Sequence, residues 1–409
     1  MPGPAIFAVR YATAYVRNHP IANLMPPFRS PWPAPARPGA GIEQVETPAL
    51  VLDLDAFERN LARMARFASE RGLRLRPHAK MHKTPAVALA QLKLGAVGVC
   101  CQKVSEAEAM VDGGVPDVLV SNEVVGDAKL ARLAALARRA RIGFCVDDAT
   151  NAAAAGAAAS AAGVILDAYV EIDVGAGRCG VAPGRAALAL ARAVAAHPGL
   201  RLAGLQAYHG RAQHMRSPAE RAAAIRAASD AARLSRDMME DAGIPCPVVT
   251  GAGTGTFELE GDSGVYNELQ PGSYAFMDAD YARNTCETPF EYSLFVLAGV
   301  MSLGGAAGTR PDRVVVDAGL KAHAVDSGLP LVHSTARGTP VPGLTFRGAS
   351  DEHGVIEVAA AAAAPRLGDK LRLVPGHIDP TVNLHDWIVC TRSGAVVDVW
   401  PVTARGAMW

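Results

Sequence analysis

Five short segments carry groups that could do chemistry: HAKMHK (His78 to Lys83), GAGRCG (Gly175 to Gly180), HGRAQH (His209 to His214), GAGTG (Gly251 to Gly255) and PGSY (Pro271 to Tyr274). The lysines of the first segment are primary amines able to form a Schiff base with an aldehyde. The glycine turns of the last two offer backbone N–H groups that can cradle a phosphate. An amine at one end and a phosphate clamp at the other is the arrangement pyridoxal phosphate needs. Taken singly, each signal is ordinary. A lysine after a strand is usually a solvated charge, and glycine serves positive φ in any turn. Their weight comes from position, since all of them follow strand-like runs.

A second candidate lies near the C-terminus, in VPGHIDPTVNLHDW. His377 and Asp379 stand two apart on a segment that reads as extended, so both side chains point to one face, as a two-residue metal site requires. An imidazole and a carboxylate without a thiolate favour Mn or Mg over structural zinc. The competing reading is a histidine in a polar loop beside a turn-forming Asp-Pro. His385 and Asp386 fall outside that spacing and read as outer support or packing.

The elements that position these groups are legible as alternation. Strand-like runs at 73–77, 98–102, 117–121, 141–147, 164–173, 200–208, 246–250 and 266–270 alternate with Ala/Leu/Arg-rich helical stretches. One helix is preceded by Ser217 and Pro218, suited to an N-cap and first turn. Such βα units predict an α/β fold with a (β/α)8 TIM-type barrel, whose functional rim is the C-terminal end of its strands. After about residue 288 the runs FVLAGVMS, RVVVDAG, GVIEVA, KLRLVPGH and IVCTRSGAVVDVW predict a second, mostly antiparallel β domain, with Ser393-Gly394 in a tight turn. The expected division is a Pro-rich N-terminal extension over 1–45, a pyridoxal-phosphate-binding barrel over 46–287, and a β domain carrying the metal site over 288–409. The run at 49–53 precedes the barrel strands and is expected to join the β domain.

Composition narrows the function classes. Forty Lys+Arg balance forty Asp+Glu over 409 residues. No net basic field exists to collect nucleic acid or an anionic membrane. No window is long and apolar enough to cross a bilayer. Seven scattered cysteines, none in CxxC spacing, argue against a disulfide framework and fit a reducing cytoplasm. Residues 5–17 could form a short helix, and the Pro-dense run after them reads as an extended, poorly ordered linker. Arg10, Arg17 and Arg29, with no acidic residue before Glu43, leave a transit peptide as the alternative to a cytoplasmic extension.

From about residue 45 onward, TPALVLD, LRPHAKMHK, VGVCCQKVSEAE, EIDVGAGRCGV, LQAYHG, GAGTGT, ELQPGSYAFMDADY, DEHGV and PGHIDPT resemble the D-threonine aldolase family, allied to 3-hydroxy-D-aspartate aldolases and sharing the alanine-racemase-type pyridoxal-phosphate fold. D-serine dehydratases look similar, but with a cysteine where Asp379 stands here. The resemblance implies that Lys80 carries the cofactor, with Lys83 the second choice, and that Arg178 contacts the ring side. It implies that Tyr208, Gly253, Thr254, Gly272, Ser273 and Tyr274 complete the cofactor site. His377 and Asp379 would bind a divalent metal, Mn or Mg, and His209 would act as base near the substrate hydroxyl. The family's three consecutive glycines appear here as Gly251-Ala252-Gly253, which is compatible only with negative φ at Ala252. The implied activity is retro-aldol cleavage of a D-3-hydroxy-α-amino acid to glycine and an aldehyde. Because His377 and Asp379 lie over 100 residues beyond the last barrel strand, the site is expected between the barrel mouth and the β domain of a partner subunit, in a homodimer. A dehydratase yielding a 2-oxo acid and ammonia, or a non-catalytic pyridoxal-phosphate carrier, are the alternatives.

Overall fold

A computed structural model describes residues 32–284, 289–304 and 310–409. The helix expected over 5–17 lies outside the described residues. The domain chain runs through β1 (Ala49–Asp53) and α1 (Leu54–Glu70) into the barrel, where Asp53 Oδ1 accepts from the Asp55 and Ala56 N–H groups to start the helix. The barrel strands are β2 (Arg74–Leu75), β3 (Val99–Cys101), β4 (Asp117–Glu123), β5 (Arg141–Val146), β6 (Leu166–Glu171), β7 (Leu200–Gln206), β8 (Val249–Gly251) and β9 (Glu268–Leu269). Between them lie α2 (Pro85–Lys93), α3 (Val104–Asp112), α4 (Asp127–Leu136), α5 (Ala149–Ala162), α6 (Arg185–Ala195), α7 (Pro218–Asp241) and α8 (Phe257–Gly261). The Ser217 hydroxyl accepts from Glu220 N–H with Pro218 opening α7, as the sequence suggests.

All eight strands pair in parallel, in the order β2-β9-β8-β7-β6-β5-β4-β3. A bridge between His78 and Cys100, with Cys100 N–H donating to Pro77 O at 2.8 Å, closes the ring. Each expected run overlaps one of these strands, β4 and β8 reaching one or two residues past theirs, because barrel strands are buried on both faces and read as short apolar stretches. Inside, Cys100, Leu119, Cys145, Tyr169, Ala203 and Val248 pack together. The N-terminal end is plugged by ions: buried Glu268 holds Arg76 at 3.0 Å and Arg74 at 2.7 Å, and Arg76 reaches Asp117 at 2.6 Å. The C-terminal rim is left as the open end.

The β domain comprises β10 (Leu294–Leu303), β11 (Arg313–Val316), β12 (Leu331–Thr335), β13 (Leu344–Ala349), β14 (Gly354–Val358), β15 (Lys370–Val374), β16 (Trp387–Arg392) and β17 (Ala395–Pro401), with a short helix α9 (Ile378–Val382) before β16. Its sheet runs β13-β14-β11-β10-β1-β16-β17, and β15 pairs with β10 and β12. β1 sits inside this sheet, antiparallel to β10 and parallel to β16. Ser393 (φ 48°) and Gly394 (φ 78°) make the hairpin turn, both left-handed as a two-residue type I′ connection demands. β12 and β13 were not foreseen. β13 does alternate, burying Leu344 and Phe346 between exposed Thr345 and Arg347, whereas β12 buries only Ser334 well.

The extension is not wholly a linker. Gly39 N–H donates to Val396 O and Ile42 N–H to Gly394 O. Ile42 and Val45 are fully buried against Ala49, Val51, Leu297 and Val389. Two large aliphatic side chains after the Pro-rich run provide the apolar burial that docks residues 39–45 on the β sheet.

Candidate active site at the barrel mouth

Lys80, Arg178, Tyr208, Gly253, Thr254, Gly272 and Ser273 line one cavity at the C-terminal rim. Lys80 stands in a single 3-10 turn, Ala79–Met81, whose start is capped by His78: the imidazole Nδ1 accepts from Lys80 N–H at 3.3 Å. The Lys80 ammonium lies 2.8 Å from Asp379 Oδ2, which raises its pKa by direct charge attraction. Lys83 is turned away. It is buried, left-handed (φ 51°), and ion-paired to Glu106 Oε1 at 2.8 Å, so it cannot reach the cavity without breaking a buried pair. The geometry therefore separates two lysines that the sequence leaves adjacent.

The phosphate end fits an anion. Among the described residues, the N–H groups of Thr254, Gly272 and Ser273 have no protein acceptor. Three such donors on residues that line a cavity also holding a primary amine suit pyridoxal phosphate. Gly253 has no room for a side chain, since a Cβ there would fall 2.4 Å from Gln213 Oε1. Tyr274 corrects the sequence reading. Its ring is fully buried outside the cavity, its hydroxyl accepts from Gln91 Nε2 at 3.1 Å, and its N–H donates to Thr254 Oγ1 at 2.9 Å. It ties the two glycine turns together rather than lining the cavity, because the 3-10 turn at 273–275 rotates it into the apolar layer beside Phe290.

Ala252 is a second correction. Its φ is +72°, not negative. Left-handed backbone costs a non-glycine residue about 1–2 kcal/mol. Against relief of that strain stand about 0.8 kcal/mol for the buried methyl and about 0.5–1 kcal/mol of glycine backbone entropy. Ala252→Gly is thus expected to change stability by less than about 1 kcal/mol. Ala252→Val, which forces a β-branched side chain into the same conformation, should cost about 2 kcal/mol or more. Denaturant titration of both variants measures this, and equal stabilities would refute the strain argument.

The third set of groups comes from the β domain. His377 N-caps α9 and Asp379 lies in its first turn, so the pair is not on an extended strand as its spacing suggested. The two still converge, with His377 Nε2 4.0 Å from Asp379 Oδ1. Adjacent ligands about 2.1 Å from an octahedral ion stand about 3.0 Å apart, so a shift of about 1 Å in either side chain would let this nitrogen and carboxylate oxygen share a divalent cation. Burial alone would raise the Asp379 pKa, but Lys80 and His377 together hold it below the usual carboxylate value. The helix is held to the barrel by buried Asp278, whose Oδ2 accepts from Ile378 N–H at 3.2 Å, and by Ala279 N–H donating to Pro375 O at 3.0 Å. His385 is packing: its Nε2 lies 2.7 Å from Ala322 O, and Asp386 pairs with Arg405.

His209 does not line the cavity, contrary to its reading as base. It is buried under the GAGRCG turn, where a Cβ on Gly175 (φ 116°) would meet its Nε2 at 2.7 Å. Burial lowers its pKa, and its Nδ1 has no partner among the described residues. The side chain alternates to the opposite side from Tyr208, which does line the cavity and whose hydroxyl pKa is raised by burial. Arg178, half-exposed, stands 3.7 Å from Glu171 Oε1. Burial, with Glu123 next in weight, pushes the Glu171 carboxyl up to about 8.

Gln206 and Gln270, which the sequence does not single out, join His78 of the first segment in the cavity lining. Gln206 and Gln270 exchange reciprocal amide hydrogen bonds of 3.1 and 2.8 Å. The His78 Nε2 lies 2.9 Å from Gln102 Nε2 and 3.2 Å from Ser121 Oγ, while burial drives its pKa well below normal. Gln206 and Gln270 end their strand runs, so the barrel's rim rule could have found them.

A family model described as alanine racemase, N-terminal domain, matches residues 52–280, and one described as putative serine dehydratase domain matches 293–391. The chain is 51% identical over 376 residues to D-threonine aldolase of Arthrobacter sp., covering 91% of this chain and 96% of that one. It is 48% identical over 381 residues to 3-hydroxy-D-aspartate aldolase of Paracoccus denitrificans strain Pd 1222, covering 91% and 95%. The solved D-threonine aldolase of Filomicrobium marinum superposes with a TM-score of 0.87 at 52% identity, over 92% of this chain and 100% of that one. With a lysine and an anion cradle on one barrel rim and these relatives spanning both domains, the chain belongs to the D-threonine aldolase and 3-hydroxy-D-aspartate aldolase family, pyridoxal-phosphate-dependent carbon–carbon lyases on the alanine-racemase-type fold.

Proposed function

We propose that this aldolase cleaves the Cα–Cβ bond of D-3-hydroxy-α-amino acids, of the D-threonine or 3-hydroxy-D-aspartate type, to glycine and an aldehyde, with a divalent metal held by His377 and Asp379. The observation that carries this reading is the 2.8 Å contact between Lys80 Nζ and Asp379 Oδ2, which joins the amine on the barrel rim to the donor pair of the same chain's β domain, so the pair reaches the rim without a partner's β domain. Pyridoxal phosphate, when bound, supplies the electron sink for the bonding pair released at Cα. A metal, Mn or Mg by donor type, would supply charge stabilisation for the substrate's β-oxygen, since an alkanol is too weak an acid to ionise unaided.

The protein's own groups do the rest. Lys80 offers the amine for covalent attachment of the cofactor. From the cavity wall its amine, when free, could take the proton released at the β-hydroxyl and return one to Cα of the glycine product. Thr254, Gly272 and Ser273 would anchor the phosphate through their free N–H groups. Arg178 and Tyr208 would bound the ring side. Buried Gln206 and Gln270, locked to each other, keep the cavity floor rigid. His209 is assigned no proton transfer, because it supports the Gly175 turn outside this cavity.

The reaction is tested by incubating the cofactor- and Mn-loaded protein with D-threonine and, separately, 3-hydroxy-D-aspartate, then measuring glycine, aldehyde and ammonia. Glycine without ammonia is expected. Ammonia with a 2-oxo acid would replace cleavage by dehydration, and no turnover of either substrate would leave a carrier. We further place the working enzyme in the cytoplasm as a homodimer. Buried thiols at Cys100, Cys101, Cys145, Cys246 and Cys390 suit a reducing compartment. Exposed Met301, Leu303, Leu320, Leu329 and Leu331 on the β domain suit a partner surface. Cell fractionation and sedimentation of active enzyme test these two statements, and a fully active monomer would remove the second.

A further inference from the structure

The imidazole of His377 has two nitrogens, and only one of them faces Asp379. Its Nδ1 lies 2.7 Å from Asp326 Oδ2 and 3.4 Å from Ser327 Oγ, while Nε2 is the atom directed toward Asp379. Asp326 is half-exposed, but its carboxylate is held in place. The Ser327 hydroxyl donates to its Oδ2 at 3.1 Å. The segment that carries it is tied to α9, since Ala324 N–H donates to Thr381 Oγ1 at 3.1 Å and the Thr381 hydroxyl donates to His377 O at 2.6 Å. Carboxylate, imidazole and helix therefore form one hydrogen-bonded unit.

A neutral imidazole carries its single proton on one nitrogen and a lone pair on the other, and the partner of the first decides which. A carboxylate on Nδ1 accepts the Nδ1–H, leaves the Nε2 lone pair free on the Asp379 side, and raises its basicity. Without that partner the proton distributes over both nitrogens and the ring can rotate. We propose that Asp326 is a positioning residue for the metal site: it fixes the tautomer and orientation of His377 so that Nε2 is presented as a ligand. The proposal rests on the reading of His377 and Asp379 as metal ligands. Asp326 itself touches neither cofactor nor substrate in this role; it acts through His377.

The test measures Mn(II) affinity of the pyridoxal-phosphate-loaded full-length enzyme by the electron-paramagnetic-resonance signal of free Mn(II). Asp326→Ala is expected to raise the dissociation constant about 10–100-fold, the usual consequence of removing such an outer partner. Asp326→Asn, whose amide oxygen still accepts from Nδ1–H, should recover part of that loss. In a His377→Ala background, Asp326→Ala should add less than about two-fold, because its effect passes through the ring. A value for Asp326→Ala within about two-fold of the parent, while His377→Ala weakens binding, overturns the proposal. So does an undiminished effect in the His377→Ala background, or an Asn variant no better than Ala, since either would make Asp326 a bare charge or an independent ligand. If His377→Ala and Asp379→Ala both leave Mn(II) affinity unchanged, the metal-site reading itself fails and takes this inference with it.

Discussion

Lys80→Ala is expected to abolish the visible absorbance band of lysine-bound pyridoxal phosphate and to lower turnover by about 10³-fold or more, the scale on which removal of an essential covalent or acid–base group acts. The expectation follows from position. Lys80 is the lysine on the cavity wall, and its amine faces Asp379 at 2.8 Å. Lys83, three residues on, is spent on a buried pair with Glu106. Lys83→Ala should therefore keep the absorbance band and lose stability instead, because it leaves Glu106 buried without its cation. Absorbance spectra and thermal melts of both variants separate these outcomes. A band that survives in Lys80→Ala and vanishes in Lys83→Ala would reverse the assignment.

Asp379→Ala is expected to remove most divalent-metal binding and to lower cleavage by about 10²-fold or more, since charge stabilisation of several kcal/mol would be lost at the substrate oxygen. Chelation of the parent enzyme should have a similar effect on turnover while the cofactor stays bound through Lys80 and the glycine turns. The two treatments are not equivalent, however. Lys80 and the metal pair are not independent, since Asp379 is the largest influence raising the Lys80 pKa. Removing the carboxylate should therefore also lower the Lys80 pKa, whereas chelation leaves the carboxylate in place. Asp379→Cys should retain a metal but shift preference toward softer ions such as zinc, a thiolate replacing a carboxylate. Metal titration of each variant followed by a glycine-release assay checks all three, and full turnover by chelated enzyme would remove the metal from the reaction.

The architecture was legible in the amino-acid sequence, and so were the segments that line the barrel mouth. Parallel strands buried on both faces must be apolar runs, and helices between them must be rich in Ala, Leu and Arg, so the β/α alternation could be read directly. Because functional groups of such a barrel follow its strands, location singles out the segments around Lys80, Arg178, Gly253 and Ser273, while the choice of single residues within them, Lys80 over Lys83 included, came from the family resemblance. Local pattern could not show which way a side chain turns where the backbone leaves regular geometry. Tyr274 rotates inward on a 3-10 turn, Ala252 takes left-handed φ, and His209 tucks beneath Gly175. Nor could it show contacts between distant segments. The meeting of Lys80 with Asp379, the docking of residues 39–45 on the sheet, and the grip of Asp326 on His377 each depend on how the β domain seats against or folds beside the barrel rim. Residue type and period encode a segment's own hydrogen bonding and burial, whereas encounters between segments distant in sequence exist only once the chain has packed, and the one between Lys80 and Asp379 brings the amine to the donor pair.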